Sequence, residues 1–211
     1  MHHRSIGSTN AKARELAEAG APHGTLVTAS EQTAGRGRQG RSWITPPDSA
    51  IAASLILREF DDLLPLRAGL AVADLAGPEA EVKWPNDVLL GGRKVAGILV
   101  EARAPVWAVA GIGVNVTHVP PEVAGIATSL GRDEVEPALA ELLDALERRL
   151  AQPPAEILEA LRERDALRGR PVRWAQGEGT GAGIDDAGAL LVRTAGGETI
   201  ALAAGEVHLV T

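Results

Sequence analysis

The 211-residue chain contains no cysteine, one methionine, one phenylalanine and no tyrosine, and its only other aromatic side chains are four tryptophans. Without cysteine there is no disulfide, no thiolate nucleophile and no cysteine-ligated zinc site. A core with so few aromatics has to be built from Ala, Val, Leu and Ile. Since hydrophobic residues still make up 45% of the chain, we expect one substantial domain with a small appendix.

Positive charge and long apolar runs are also scarce. The 21 Lys and Arg are outnumbered by 28 Asp and Glu, which gives a formal net charge of −7. Nucleic-acid binding generally needs a basic face, so we expect no DNA binding. No apolar run is long enough for a membrane span, and the first residues contain no apolar signal segment, so we expect a cytoplasmic protein. Its oligomeric state, monomer or homodimer, stays open.

The remaining pattern predicts an α+β fold in two parts. Helices are predicted at residues 11–19, 63–76, 137–150 and 154–167, and strands at 24–30, 50–58, 81–84, 88–90, 94–101 and 106–116. Gly91-Gly92 suits the tight turn of a hairpin, and residues 31–48 read as a long loop. Beyond residue 168 short β runs follow one another at 171–174, 181–184, 189–194, 199–203 and 207–210. We therefore predict domains at 1–167, with a mixed and mostly antiparallel sheet, and at 168–211, with a small β-barrel.

An arginine-rich loop is the first segment whose residues suit ligand binding or catalysis. Residues 35–43 read GRGRQGRSW, in which three guanidinium groups alternate with glycines that let the backbone approach an anion. The same glycines spell the dinucleotide-binding pattern G-x-G-x-x-G. That pattern requires a helix to begin there, whereas Trp43 is followed closely by Pro46-Pro47, so we reject it. A solvated turn is the simpler alternative. It is the weaker interpretation, because three arginines so close together in an acidic protein favour a binding role.

A second segment, KWPND at 83–87, is followed across the predicted hairpin by KVAG at 94–97. The side chains of Asn86 and Asp87 form an ordinary Asx turn, or they hold Mg²⁺ and orient an amine. Lys94 alone reads as an exposed lysine, but its position opposite this corner favours a functional role. Glycines inside the predicted strand GIGVN at 111–115 mark a place where a ligand or backbone approaches closely. Ser8-Thr9-Asn10 are candidate helix N-caps.

Taken together and in this order, these segments resemble the catalytic region of biotin protein ligases. The matching stretches are STN (8–10), EQTAGRGRQGRSW (31–43), KWPNDVLLGGRKVAGILVEA (83–102) and GIGVN (111–115), and residues 167–192 are similar to that family's C-terminal domain. The resemblance implies a class II synthetase-like fold with an SH3-like C-terminal barrel. It also implies a monofunctional ligase, because STN stands too near the first residue for the DNA-binding domain that some members carry.

The implied reaction has two steps: biotin and ATP form biotinyl-5′-AMP, and biotin is then transferred to a lysine of a biotin carboxyl carrier domain. Catalytic roles would fall to Lys94, Arg36 and Asp87. Biotin would be bound by Ser8, Thr9, Asn10, Gln32, Gly35, Arg36, Lys94 and Gly97. The nucleotide would be bound by Arg36, Arg38, Arg41, Trp43, Asn86, Lys94 and Asn115. Mg²⁺ would be held by Asn86 and Asp87, and biotin's ureido ring would be read by the polar groups of Ser8, Thr9 and Gln32.

Two alternatives compete with this interpretation. A lipoate-type ligase shares the fold and the acyl-adenylate chemistry, but lipoate has no ureido group for the polar residues to bind. A non-catalytic biotin-binding module is the other, and it is disfavoured because Lys94 and all three loop arginines are present. A generic P-loop nucleotide-binding protein ranks last, since no G-x-x-x-x-G-K-[ST] occurs.

Overall fold

Two β-sheets divide the strands of the computed structural model, which describes residues 1–210. The seven strands of the first sheet are β1 (His2–Ile6), β2 (Leu26–Gln32), β3 (Ala50–Leu57), β4 (Ala80–Lys83), β5 (Asp87–Leu90), β6 (Arg93–Arg103) and β7 (Trp107–Asn115). Their order is β1-β2-β3-β7-β6-β5-β4. Only the β1–β2 pair is parallel among these described pairings. The predicted α+β class with a mixed, mostly antiparallel sheet is confirmed.

The helices lie on both faces of this sheet. They are α1 (Thr9–Glu18), α2 (Leu64–Ala76), α3 (Val135–Ala151) and α4 (Pro154–Glu163). Because side chains alternate along a strand, β3 sends Ile51 and Ala53 into the main core with α2 and α3, and Ile56 into a smaller core with α1. The α1 face is covered only in part, and its uncovered stretch is where the polar motifs converge.

Helix α1 begins where the sequence places a cap. Ser8 has extended backbone angles, and its hydroxyl accepts a hydrogen bond from the Ala11 amide at 3.4 Å. The helix ends just before Gly20, whose φ of +90° is readily adopted only by glycine. The hairpin prediction is also confirmed, since Gly91 and Gly92 have φ of +58° and +74° between β5 and β6.

Three elements differ from the sequence-based prediction: one helix, one strand near the start of the chain, and the strand predicted at 181–184, which begins at Gly177. Helix α4 ends at Glu163, not at residue 167, because the following residues pair with the edge of β4: the Val82 amide donates to the Arg164 carbonyl at 2.7 Å and the Ala166 amide to the Val82 carbonyl at 3.1 Å. Strand β1 was not predicted. Its sequence HHRSI lacks an apolar alternation, and it is a strand because it pairs with β2.

The second sheet contains β8 (Pro171–Trp174), β9 (Gly177–Ile184), β10 (Leu190–Thr194), β11 (Thr199–Leu202) and β12 (His208–Leu209), in the order β11-β10-β9-β8-β12 and with antiparallel pairings. The run of short C-terminal strands is thus as predicted, while closure into an SH3-like barrel stays a prediction, as does the domain boundary after residue 167. No helix within residues 1–210 is long and apolar enough to cross a membrane.

Candidate functional site

A cleft opens on the α1 face where the central strands carry glycine in place of side chains. Gly97 of β6 and Gly113 of β7 are direct neighbours in the sheet register. The indole of Trp43 lies across both: a Cβ added at Gly113 would come within 2.6 Å of the indole, and one at Gly97 within 3.4 Å. The strand glycines therefore mark a close approach, as the sequence predicts, and the group that approaches Gly113 is a tryptophan side chain from the arginine-rich loop.

The N-terminus of α1 and the end of β2 place three polar side chains at one end of the cleft. The side-chain oxygen of Gln32, Oε1, accepts hydrogen bonds from the Thr9 backbone amide at 2.8 Å and from the Thr9 hydroxyl at 3.0 Å. The Ser8 hydroxyl acts as acceptor in its cap, which leaves its proton free to be donated into the cleft. Thr9 and Gln32 are thus hydrogen-bonded to each other, and together with Ser8 they line the cleft.

Asn10 is oriented differently from the sequence-based expectation. It lines the same cleft, but its carboxamide is 4% exposed and its hydrogen bonds go to other protein groups. Its Nδ2 donates to the Leu99 carbonyl at 3.1 Å and to Glu101 at 3.0 Å, and its Oδ1 accepts from the Ser54 hydroxyl at 2.6 Å. A direct contact with biotin stays a prediction that this geometry does not favour.

The arginine-rich loop forms a tight turn over the middle of the cleft. A bridge between Arg36 and Ser42 closes the turn, and the Trp43 amide donates to the Gly35 carbonyl at 2.9 Å. Gly35 has to be glycine, because a Cβ there would overlap the Trp43 carbonyl. Arg36 is exposed, and its guanidinium makes no hydrogen bond or ion pair within residues 1–210. It is therefore available to an anionic ligand.

The other two loop arginines are held by the protein. Arg38 donates to Asn86 Oδ1 at 3.0 Å and to the Gly205 carbonyl at 3.3 Å, and burial lowers its pKa. Arg41 forms an ion pair with Glu206. Gly205 and Glu206 belong to the segment just before β12, so the C-terminal part of the chain touches the loop that covers the cleft.

A cluster of charges lies beside the loop at the hairpin. Lys94 Nζ is 2.6 Å from Asp87 Oδ1, and Lys83 Nζ is 3.7 Å from Asp87 Oδ2. Burial lowers the pKa of Lys83, Asp87 opposes this shift, and the positive charge of Lys94 adds to it. Together with Arg36, Arg38 and Arg41, the two lysines give the cleft an excess of positive charge that suits a carboxylate and phosphates.

The corner at Asn86 and Asp87 does not fit a resident metal ion. Its amide and carboxylate bind each other, Arg38 and Lys94. Residues 1–210 contain no group of three or more His, Asp or Glu side chains arranged to hold a metal. A divalent cation at this place would face two lysines that already pair with the one carboxylate of the corner, Asp87.

Asn115 lies at the end of β7, away from the other predicted residues. Its side-chain amide donates to the Thr128 carbonyl at 3.0 Å, and it is 6% exposed. It fixes the segment that follows β7, and its predicted contact with adenine stays a prediction.

The cleft has two compartments that share the arginine-rich loop as a wall. The smaller, about 110 Å³, is lined by the polar group of α1 and β2, by Trp43 and by Lys94. The larger, about 680 Å³, extends on the other side of the loop to Pro65, Glu101 and Ala203. A ligand-sized space therefore adjoins the small polar compartment.

Four residues of this region were not singled out from the sequence: Ser54, Lys83, Gly205 and Glu206. Ser54 lies beneath Thr9, a contact that depends on the β3 register. Lys83 is the first residue of the KWPND motif, and its membership in that motif could have identified it as a site residue. Gly205 and Glu206 carry no local signal, since they reach the loop only through the packing of the two sheets.

Comparison with known proteins shows which family this chain is related to. Residues 3–117 match the Biotin/lipoate A/B protein ligase family, and residues 169–210 match the Biotin protein ligase C terminal domain. The biotin--[acetyl-CoA-carboxylase] ligase of Mycobacterium tuberculosis is 38% identical over 96% of this chain and 86% of that protein. The chain belongs to the biotin protein ligase family. The family membership predicted from the motifs is confirmed.

Two further relatives define the extent of the similarity. The biotin--[acetyl-CoA-carboxylase] ligase of Paracoccus denitrificans is 38% identical over 93% of this chain and 95% of its own length. The bifunctional ligase/repressor BirA of Bacillus subtilis is 41% identical over 63% of the chain, and the matched part spans 46% of that relative. Among solved structures, the biotin protein ligase from Aquifex aeolicus, in complex with biotin and ATP, superposes with a TM-score of 0.85 at 28% identity, over 99% of this chain and 97% of that one.

Proposed function

We propose that this chain is an ATP-dependent biotin protein ligase that forms biotinyl-5′-AMP and transfers biotin to a lysine of a biotin carboxyl carrier domain. The observation that carries the proposal is the position of two kinds of subsite in one cleft. Neutral hydrogen-bonding groups on α1 and β2 line the same cleft as the cations Arg36, Arg38 and Lys94. A ligand with an uncharged polar ring and a carboxylate at the end of an apolar chain fits that arrangement.

In the first step, a biotin carboxylate oxygen bonds to the α-phosphorus of ATP, and the bond to pyrophosphate breaks. Both reactants are anions, so fixed positive charge lowers the barrier. Lys94, the lysine nearest the glycine-lined slot, would bridge the carboxylate and the α-phosphate. Arg36 would neutralise the phosphates, with Arg38 and Arg41 behind it. Gly35 and Gly97 lie beside these cations without a side chain that would separate them from the ligand, and Trp43 covers both.

The roles of the acidic corner follow from its ion pairs. Asp87 would position Lys94 while the site is empty of phosphate. Mg²⁺ would arrive bound to ATP, since Asn86 and Asp87 do not form a metal site of their own, and no step is assigned to them as metal ligands.

In the second step, the amine of the acceptor lysine bonds to the acyl carbon, AMP leaves, and the amine loses a proton. The mixed anhydride is open to hydrolysis until then. Trp43 and the arginine-rich loop cover the slot at Gly97 and Gly113, so we infer that they exclude water from the intermediate. The relatives from Mycobacterium tuberculosis and Paracoccus denitrificans are biotin--[acetyl-CoA-carboxylase] ligases, which supports a subunit of acetyl-CoA carboxylase as the acceptor.

The test is a single-turnover reaction with biotin and ATP labelled at the α-phosphate, with lipoate as competitor and a biotin carboxyl carrier domain added last. We expect labelled biotinyl-AMP, no inhibition by lipoate, and chase of biotin into the carrier. Lipoyl-AMP in place of biotinyl-AMP would support the lipoate-type ligase. Binding of biotin without any adenylate would support the non-catalytic module.

A further inference from the structure

A buried chain of polar side chains runs beneath the cleft and ends at Thr9. The chain connects Glu101 to Asn10, Asn10 to Ser54 and Ser54 to Thr9, with oxygen–oxygen or nitrogen–oxygen distances of 3.0, 2.6 and 2.9 Å. Ser54 is fully buried, and Thr9 and Asn10 are each 4% exposed. Polar groups this deeply buried are costly unless every one is satisfied, so their hydrogen-bond directions are fixed.

The sheet register builds the space for this chain. Leu99, Gly111 and Ser54 are direct neighbours across β6, β7 and β3. A Cβ at Gly111 would overlap the Asn10 carboxamide, which lies over this row and bonds to both of its other members. Gly111 therefore serves the polar chain, and the space it leaves is occupied by protein.

The orientation of the Asn10 carboxamide follows from its partners. One of its two polar atoms faces the Leu99 carbonyl and the Glu101 carboxylate, which only accept hydrogen bonds. That atom must be the amide nitrogen, so the oxygen faces Ser54. The Ser54 hydroxyl has one proton, and it must be donated to this oxygen, the shorter of its two contacts. Ser54 can then offer Thr9 only a lone pair.

Thr9 is left with one hydroxyl proton and two acceptors on the protein side, Ser54 Oγ at 2.9 Å and Gln32 Oε1 at 3.0 Å. Whichever of these two oxygens accepts it, the proton of the Thr9 hydroxyl is used within the protein and is not donated to a ligand. The face of the Thr9 hydroxyl that lines the cleft then presents a lone pair and accepts from a ligand N–H. Beside it, Ser8 uses its lone pair in the helix cap and keeps a proton to donate.

We infer that Glu101, Asn10 and Ser54 are positioning residues that fix Thr9 as a hydrogen-bond acceptor and so select a ligand that presents an N–H at this point. The inference rests on the proposed function, because it assigns this acceptor to one ureido N–H of biotin. Asn10, which the sequence predicts to contact biotin, is thereby assigned to the positioning of Thr9. The selection is also predicted to be reversed if the Asn10 carboxamide turns over.

The test measures Kd by calorimetry, without ATP, for biotin and for its two cyclic carbamate analogues, in which a ring oxygen replaces one ureido N–H or the other. In the analogue whose ring oxygen faces Thr9, a lone pair of that oxygen meets the lone pair of the Thr9 hydroxyl, and the two repel each other. We therefore expect the wild type to bind one carbamate isomer at least about tenfold more weakly than biotin, while the other isomer reports on the remaining nitrogen.

Glu101→Gln removes one of the two acceptors that hold the Asn10 nitrogen and supplies a donor there, while the Leu99 carbonyl still opposes a turn of the carboxamide. The direction of the chain is then reversed in only part of the molecules, and the biotin-to-carbamate ratio is expected to fall only in part. Ser54→Ala should lower the same ratio, and Ser54→Cys, a weak donor of similar size, should restore part of it. Arg14→Gln is the matched control: Arg14 pairs with the other oxygen of Glu101 at 3.2 Å and is 40% exposed, so its loss should leave the ratio unchanged.

An unchanged ratio in both Ser54→Ala and Glu101→Gln, with biotin still bound, would overturn the inference and leave the proposed function intact. Because Glu101 is partly exposed, Glu101→Gln is informative even if Ser54→Ala does not fold. A wild type that binds no biotin would overturn both the inference and the proposed function. An equal loss of affinity for biotin and both carbamates in Ser54→Ala would assign Ser54 to folding alone.

Discussion

Replacing Lys94 by alanine is expected to abolish most adenylate formation and to leave the fold intact. Lys94 lies on β6 just past the Gly91-Gly92 turn, with its side chain 34% exposed and its ammonium 2.6 Å from Asp87. Asp87 keeps a second partner, Lys83, at 3.7 Å. The loss of stability is therefore that of a partly exposed ion pair, about 1 kcal/mol or less.

The effect on the chemical step is larger because no solvent cation is fixed at that point. A unit charge about 4 Å from another contributes roughly 4 kcal/mol at an effective dielectric constant of about 20. Since about 1.4 kcal/mol corresponds to a tenfold change in rate, the full term corresponds to about 10³-fold. Solvent screening at a position that is one-third exposed reduces it, and we expect adenylate formation at least about 100-fold slower.

The assay is single-turnover formation of biotinyl-AMP at saturating biotin and ATP, with urea unfolding measured in parallel. Lys12→Ala is the matched control, because Lys12 also pairs with a carboxylate, Glu15 at 2.9 Å, but stands on α1 outside the cleft. It should change neither rate nor stability appreciably. A Lys94→Ala rate within about tenfold of the wild type would refute the bridging role of this lysine.

Three further predictions concern the loop, the glycine slot and pH. Arg36→Ala should release biotinyl-AMP faster, since the loop loses its free cation; unchanged retention in a filter-binding assay would show that the loop is not the cover. Gly113→Ala should displace the Trp43 indole, because the new Cβ would lie 2.6 Å from it, and should weaken biotin binding about tenfold or more by calorimetry. Burial raises the pKa of Asp165, whose Oδ2 is buried without a hydrogen-bond partner within residues 1–210. The folded protein therefore loses stability as pH rises from about 4, the ordinary carboxyl value, through the raised pKa. Asp165→Asn should remove that loss, so it should raise the stability at neutral pH and change nothing below pH 4; equal urea midpoints for both proteins at pH 7 would contradict this.

Much of the fold could be predicted because its signals are local. The hairpin at Gly91-Gly92 and the cap at Ser8 depend on backbone preferences of single residues, and both are present. Strand β1 and the end of α4 could not be predicted. Residues 2–6 form a strand only because β2 offers an edge, and residues 164–166 leave the helix because β4 offers one.

The candidate site was predicted in part for the same reason. Motif residues that stand on well-defined elements, such as Thr9, Gln32 and Lys94, meet in one cleft as expected. Asn115 does not line that cleft, although it belongs to a quoted motif. Side-chain direction at the end of a strand depends on the segment packed against it, here residue 128, and a motif does not specify that.

The sequence alone determined the family, the α+β class and the inventory of charges and glycines that an acyl-adenylating site needs. These follow from residue types at fixed spacing, which survive without knowledge of packing. Only the tertiary structure decided what each polar group does: that Glu206 pairs with Arg41, that Asp87 is shared by two lysines, and that Asn10 turns inward to Ser54. Hydrogen-bond direction and ion-pair partners depend on which elements pack together, and strands such as β3 and β7 are neighbours although dozens of residues separate them in the chain.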